Sequence, residues 1–305
     1  MSRISVVVVS DYLASERKNW ADERAVLQAF AAQDLAEPFE IIVVAPERHR
    51  QECPDWMVGL VPGSRIHFAP HERSSQLKDA ATPLCTGGLI AVVEADSVPA
   101  PSWLRRLVEA MDREPAIDVM SGRTTYGDHS SLRRVLGVLD RAWMDPGQPG
   151  PSTDVSNNGA LYRRALLERF PYPDEPSAFV SARIRNRAIL ASGARVCIEP
   201  RAVMVHGFGG LRFEVDMRRN VGFADGREYR RDLGLQRFSA WALAALVRRR
   251  LAQEWGDCRR LGARYLRWYD WPLAILMLGC VRAFELPGTV AGLRGASALE
   301  HTAYR

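Results

Sequence analysis

The chain has 305 residues, 47% of them hydrophobic and 25% charged, with a formal net charge of +5. This is ordinary globular composition, long enough for one large α/β domain plus an appendage, and it excludes a low-complexity chain. The five cysteines (Cys53, Cys85, Cys197, Cys258, Cys280) are odd in number, widely spaced and without a C-x-x-C pair. They argue against a disulfide framework or a thiolate zinc site, and for a reducing cytoplasm.

Ile4–Val9 is a β-branched run without polar alternation, as expected of a parallel strand covered on both faces. It is too short for a signal sequence or a membrane span. Asp11 to Glu16 reads as a loop, and Trp20 to Ala32 carries apolar residues at helical spacing. Phe39 to Val44 is a second buried strand, stopped by Pro46, and Arg65 to Phe68 a short third one. Leu77 to Cys85 is a weak helix interrupted by Pro83. Leu89 to Val93 is a fourth strand leading into Glu94-Ala95-Asp96, Trp103 to Met111 a helix, and Ile117 to Ser121 a fifth strand. Strands alternating with helices predict βαβ units and a mostly parallel sheet.

The second half is less regular. Asp145 to Thr153 is rich in Pro and Gly and reads as a mobile loop. Ala160 to Phe170 reads as a strand and helix, Phe179 to Leu190 as a helix, and Arg195 to Val205 as two strand pieces around Pro200. From about Phe213 helical patterns dominate, with clustered arginines (Arg248 to Arg250, Arg259, Arg260) and Trp241, Trp255, Trp268 and Trp271. Trp271 to Leu293 is apolar but broken by Arg282, Glu285 and Pro287, so its uninterrupted part is too short to span a bilayer. Basic helices with interfacial tryptophans and an apolar hairpin suit a membrane surface; a helical appendage packed on the core is the other reading.

Two carboxylates two residues apart, where a buried strand opens into a loop, can converge on a divalent ion at the carboxyl edge of an open sheet. A solvated acidic turn before Pro99 is the plain alternative for Glu94 and Asp96. The segment Gly87 to Leu104, GGLIAVVEADSVPAPSWL, resembles the signature segment of family 2 glycosyltransferases, a strand ending D-x-D followed by a proline loop and W-L. Further pieces agree in order. Ser5 to Val9 resembles the opening strand, Ala29 to Gln33 a helix end, and Asn157 to Arg164 (NNGALYRR) the acceptor-side segment. Gly193 to His206 resembles the ending with P-x-A and a terminal His. The resemblance covers roughly residues 1 to 210.

What the resemblance implies is a GT-A fold over 1–210, a nucleotide-diphosphate sugar donor, and Mn²⁺ or Mg²⁺ as cofactor; the pattern beyond it makes 211–305 a helical region. On that reading Asp96 is the principal metal ligand, Glu94 faces the ribose or the metal, and His206 approaches the metal or diphosphate. Lys78 and Asp79 fall near the base and ribose. Ser10, Asn158 and Arg212 also line the donor, Arg212 from behind a Gly207-Phe208-Gly209-Gly210 lid that reads equally as a glycine turn.

Two departures stand out. The second strand lacks the family's terminal aspartate that reads the nucleobase; Val43-Val44 is followed by Ala45-Pro46, so that contact is missing or Glu47 supplies it from a shifted position. The helix that should carry the base reads FVSARIRNR, with arginines in place of acids. Glu175, or else Asp174, is the substitute base, against a polar turn between two prolines. The expected function is metal-dependent, inverting transfer of a sugar to a lipid-linked or polysaccharide acceptor by a bacterial enzyme. The expected location is the cytoplasm, peripheral on the inner face of the plasma membrane. The alternative is a degenerate GT-A scaffold that binds a nucleotide or glycan without catalysis. A sugar nucleotidyltransferase is disfavoured, because Ser10 to Ser15 has no glycine-rich phosphate loop. Nucleic acid is not an expected partner, because the arginines lie on helices beside apolar runs.

Overall fold

A computed structural model describes residues 3–10, 20–141, 145–175 and 177–299. The stretch Asp11 to Glu16 lies outside the described residues. By contacts the chain forms two compact units: Met1–Thr125 with Met144–Asp174 and Ile184–Gly207, and Tyr126–Trp143 with Glu175–Arg183 and Phe208–Arg305.

The first unit is a three-layer α/β arrangement around one sheet, ordered β3-β2-β1-β4-β8-β6-β9-β5. The strands are β1 (Ile4–Val9), β2 (Phe39–Pro46), β3 (Ser64–Ala69), β4 (Leu89–Glu94), β5 (Ser97–Pro99), β6 (Val119–Thr125), β7 (Gly150–Pro151), β8 (Ala160–Arg163) and β9 (Val196–His206). β3, β2, β1 and β4 are parallel, as expected; β8 then turns antiparallel to both β4 and β6, and β9 runs parallel to β6.

Alternation along β1 explains its apolar sequence, which the buried Ser5 alone interrupts. Ile4, Val6 and Val8 enter one core with Val26, Leu27 and Phe30 of α1 (Ala21–Ala31) and Trp103, Leu104 and Leu107 of α4 (Trp103–Arg113). Val7 and Val9 enter the opposite core with Leu77 and Ala81 of α3 (Ser74–Ala81) and Leu166 and Leu167 of α6 (Arg164–Arg169). Both faces of the strand are covered, so no polar alternation is needed. A four-residue helix, α2 (Trp56–Gly59), precedes β3.

Three expectations change. β9 is one strand rather than two pieces; its register against β6 shifts between Gly122 and Arg123, so the irregularity around Pro200 is absorbed as a bulge. The Asp145 to Thr153 loop contributes β7, which pairs with β9. The apolar hairpin expected after Trp271 is a single helix, described below.

The second unit is helical. It contains α5 (Ser131–Arg141), the start of α7 (Ala178–Ala191), α8 (Leu211–Asp232), α9 (Ala240–Tyr265) and α10 (Trp271–Arg294). Its apolar core joins Val135, Leu136 and Leu139 of α5 to Leu261 of α9 and to Ala274, Met277 and Val281 of α10. α8 and α10 pack backbone to backbone. A Cβ added at Gly288 would lie 1.9 Å from the Arg219 carbonyl, and one at Gly222 would lie 2.2 Å from that of Glu285. Only glycine permits this approach. Around it lies a buried ionic cluster. Arg218 meets Glu214 at 2.9 Å, Asp140 at 3.2 Å and Glu285 at 3.3 Å, and Arg282 pairs with Glu254 and Glu285.

Candidate active site

The parallel strands all end on one edge of the sheet, which is where ligands bind in open α/β folds. Ser10, Glu47 and Glu94 stand at the ends of β1, β2 and β4. Asp96 follows β4 by two residues, and His206 closes β9. The short antiparallel ribbon of β5 with β9 pairs Ser97 with His206 and so sets Asp96 beside the imidazole. The Gly207 N–H donates to the Asp96 carbonyl at 2.6 Å and ties the two segments together.

Glu94, Asp96 and His206 each turn one ligand atom inward, all within 4.8 Å of one another. His206 Nδ1 lies 2.7 Å from the Gly207 carbonyl, which can only accept, so the neutral ring carries its proton there. Nε2 then turns its lone pair toward Asp96 Oδ2, 3.4 Å away. Two carboxylates and an imidazole lone pair facing one another form a donor set suited to a cation, and its hard oxygens fit Mn²⁺ or Mg²⁺. Asp96 Oδ1 accepts from Ser97 Oγ at 3.2 Å, and Ser97 in turn accepts from Asn158 Nδ2 at 2.8 Å. Asn158 Oδ1 also accepts the Glu94 N–H at 3.0 Å, so one side chain bridges both acidic positions. Buried Lys78 places Nζ 2.7 Å from Glu94 Oε1, which Ser74 Oγ also reaches at 3.3 Å.

The profile of the family described as glycosyl transferase family 2 matches residues 23–170. Residues 23–170 form a family 2 glycosyl transferase domain. Its fold is GT-A. Over 96% of this chain and 87% of the other, the structure resembles a mannosyltransferase, PcManGT from Pyrobaculum calidifontis in complex with GDP-Man and Mn²⁺, at 15% identity and a TM-score of 0.58. S. aureus TarS 1–349 aligns over 95% of this chain and 90% of its own, at 13% identity and a TM-score of 0.45. No curated protein sequence matches the chain.

The other expected residues, most of them outside the matched family 2 segment, stand in distinct settings. Ser10 is buried and donates to Glu23 Oε1 at 2.5 Å; burial raises the Glu23 carboxyl above its usual range. Glu47 opens a 3-10 turn after β2 and is held by Arg50, whose hydrogen bond keeps the carboxyl below its usual range. Asp174 is 81% exposed and pairs with Arg73 at 2.8 Å. Glu175 and Arg212 belong to the helical unit, where Glu175 meets Arg227 at 3.1 Å and Arg212 is exposed in the first turn of α8. The arginines of α7 are engaged too. Arg183 pairs with Asp225 and Glu228, and Arg185 donates to the Phe170 carbonyl at 2.8 Å and stacks 4.4 Å from the Tyr172 ring.

Sequence reasoning missed Ser74, Ser97, Tyr172 and Arg185. Ser74 and Lys78 were legible as an i,i+4 pair on one face of α3. Tyr172 is fixed by contacts remote in sequence; its N–H donates to Asp79 Oδ2 at 2.8 Å and its hydroxyl to Asn157 Oδ1 at 2.9 Å.

Burial pushes the Asp79 carboxyl up to about 6. The unfolded chain releases this proton near 4, so the folded state binds more protons between those values and loses stability as pH rises across that window. Asp79→Asn keeps an acceptor for Tyr172. It should flatten this dependence and raise stability at pH 7 by on the order of 1 kcal/mol, after allowance for solvent screening. Urea unfolding between pH 4 and 8 measures it, and an unchanged pH profile would refute the buried-acid reading.

Proposed function

We propose that the chain transfers a sugar from a nucleotide-diphosphate donor to a lipid-linked or polysaccharide acceptor, with a divalent metal and inversion at the anomeric carbon. The observation that carries this reading is the convergence of Glu94, Asp96 and His206 on the carboxyl edge, with Lys78 and Asn158 bracing the acids. A bound ion would supply positive charge to the diphosphate as it leaves. PcManGT, with its GDP-Man and Mn²⁺, supports a donor of that class. Titration calorimetry with nucleoside diphosphates, with and without Mn²⁺, followed by a donor-hydrolysis assay, tests the reading. Absence of metal-dependent binding across the donor panel would overturn it.

Inversion needs a base at the acceptor hydroxyl, and Glu175 is the residue we assign to it, with Asp174 second. Its carboxylate lies 3.1 Å from the Arg227 guanidinium, which holds it in place. Glu175→Gln should lower turnover by roughly 10²–10⁴-fold while donor affinity stays constant. Unchanged turnover would sink the assignment. The engaged arginines of α7, standing where acids are expected, favour a second reading, a nucleotide-binding scaffold, which predicts donor binding without hydrolysis or transfer.

We place the activity in the bacterial cytoplasm at the inner face of the plasma membrane, in polysaccharide synthesis. The five free cysteines and the basic, tryptophan-bearing helices support this.

A further inference from the structure

α10 has inverted polarity. Its only charges before Arg294 are Arg282 and Glu285, and both are buried, in ion pairs with Glu254 of α9 and Arg218 of α8. Its outer face runs Pro272, Ile275, Leu276, Gly279, Ala283 and Leu286, and no exposed position between Trp271 and Val290 is polar. Ile275 is 58% and Leu276 61% exposed. That bare apolar stripe extends over about 21 Å of helix at 1.5 Å per residue. Contiguous exposed apolar surface of this kind marks a docking face.

The surroundings identify the occupant. Trp268, 84% exposed, and exposed Tyr269 stand at the entry to the helix. On α9 the residues Trp241, Ala244, Arg248, Ala252, Trp255 and Arg259 are exposed and recur at helical spacing. No acid is exposed anywhere on that helix, because Glu254 is buried and Asp257 is half-buried against Arg260. Aromatic residues at an apolar edge, with cations and no exposed anions, complement an anionic lipid surface. By length and composition Trp268–Arg294 could cross a bilayer. It cannot do so in this packing, because α8 lies against it backbone to backbone and carries Arg218, Glu214, Arg219 and Asp216. Charges of that density are too costly in hydrocarbon.

We infer that α10 lies in the plane of an anionic bilayer, with Ile275, Leu276 and Leu286 in the acyl region and the α9 arginines among the headgroups. This deepens, and rests on, the membrane-side reading above, and is independent of sugar transfer. Flotation of the full chain with vesicles of phosphatidylcholine, alone or mixed with phosphatidylglycerol, tests it. The wild type should float with the mixed vesicles, less at high salt, and stay soluble with phosphatidylcholine alone. Ile275→Glu with Leu276→Glu should reduce flotation at least tenfold while thermal unfolding is unchanged. Arg248→Gln with Arg259→Gln should weaken binding to the mixed vesicles alone. Nucleoside diphosphate and Mn²⁺ affinities, unaltered in both variants, separate failure of this inference from failure of the donor reading. It is overturned by a wild type that ignores both vesicles, or by equal flotation of the Ile275/Leu276 variant. A wild-type dimer that this variant dissolves would also overturn it, giving the face to a second copy of the chain.

Discussion

An Asp96→Asn variant is expected to lose Mn²⁺-dependent nucleoside diphosphate binding and to fall roughly 10²–10³-fold in turnover, the scale of several kcal/mol of charge stabilisation. The substitution is nearly isosteric. The Asn oxygen can still accept from Ser97, and the backbone bond from the Gly207 N–H to the Asp96 carbonyl is untouched. Folding should therefore be preserved while one negative charge leaves the cluster. Glu94 is partly neutralised by Lys78 at 2.7 Å, so Asp96 is the stronger anionic donor of the pair. Calorimetry at fixed nucleotide with varied Mn²⁺ reads the loss. Full metal-dependent binding in Asp96→Asn would mean that the cluster is only a hydrogen-bonded turn.

The largest stability effect should come from the helical unit. Arg218 is 2% exposed; burial works against its charge, and Asp140, Glu214 and Glu285 more than reverse that effect. Arg218→Met removes the cation that Asp140, Glu214 and Glu285 share and should cost about 3–5 kcal/mol, as when one partner of a buried ion pair is removed. Glu254→Gln should be mild by comparison. Burial pushes the Glu254 carboxyl up to about 7, so near neutral pH much of it is already uncharged. Chemical denaturation of the two variants at pH 7 measures the contrast, and equal losses would refute the asymmetry.

The fold was legible where composition alone dictates burial. β1, β2 and β4 are β-branched runs with both faces covered, and their sequence boundaries fall within two residues of the structural ones. α5 was missed although Leu132, Val135, Leu136 and Leu139 recur at helical spacing in SLRRVLGVLDR. β5 was missed for a different reason. Three residues ending in Pro carry no strand signal, and only β9 as a partner makes them a strand. That ribbon is what joins Asp96 to His206. The residue types of the site were thus readable, whereas the contact between them depends on a pairing more than 100 residues apart. The bracing residues Ser97 and Tyr172 are ordinary in sequence and acquire meaning only from neighbours brought in by the sheet.

β9 lies between β6 and β5 although it comes last of the strands in the chain. A growing chain therefore exposes one unpaired edge of β6, and leaves β5 without its partner, until residue 206 has left the ribosome. Open edges invite foreign strands, and distant pairings form slowly. A fragment cut at the end of the family match, residue 170, would keep both liabilities and lack His206. Expression boundaries for this protein belong beyond Gly207, and its vulnerable period for aggregation is the synthesis of the stretch between β8 and β9.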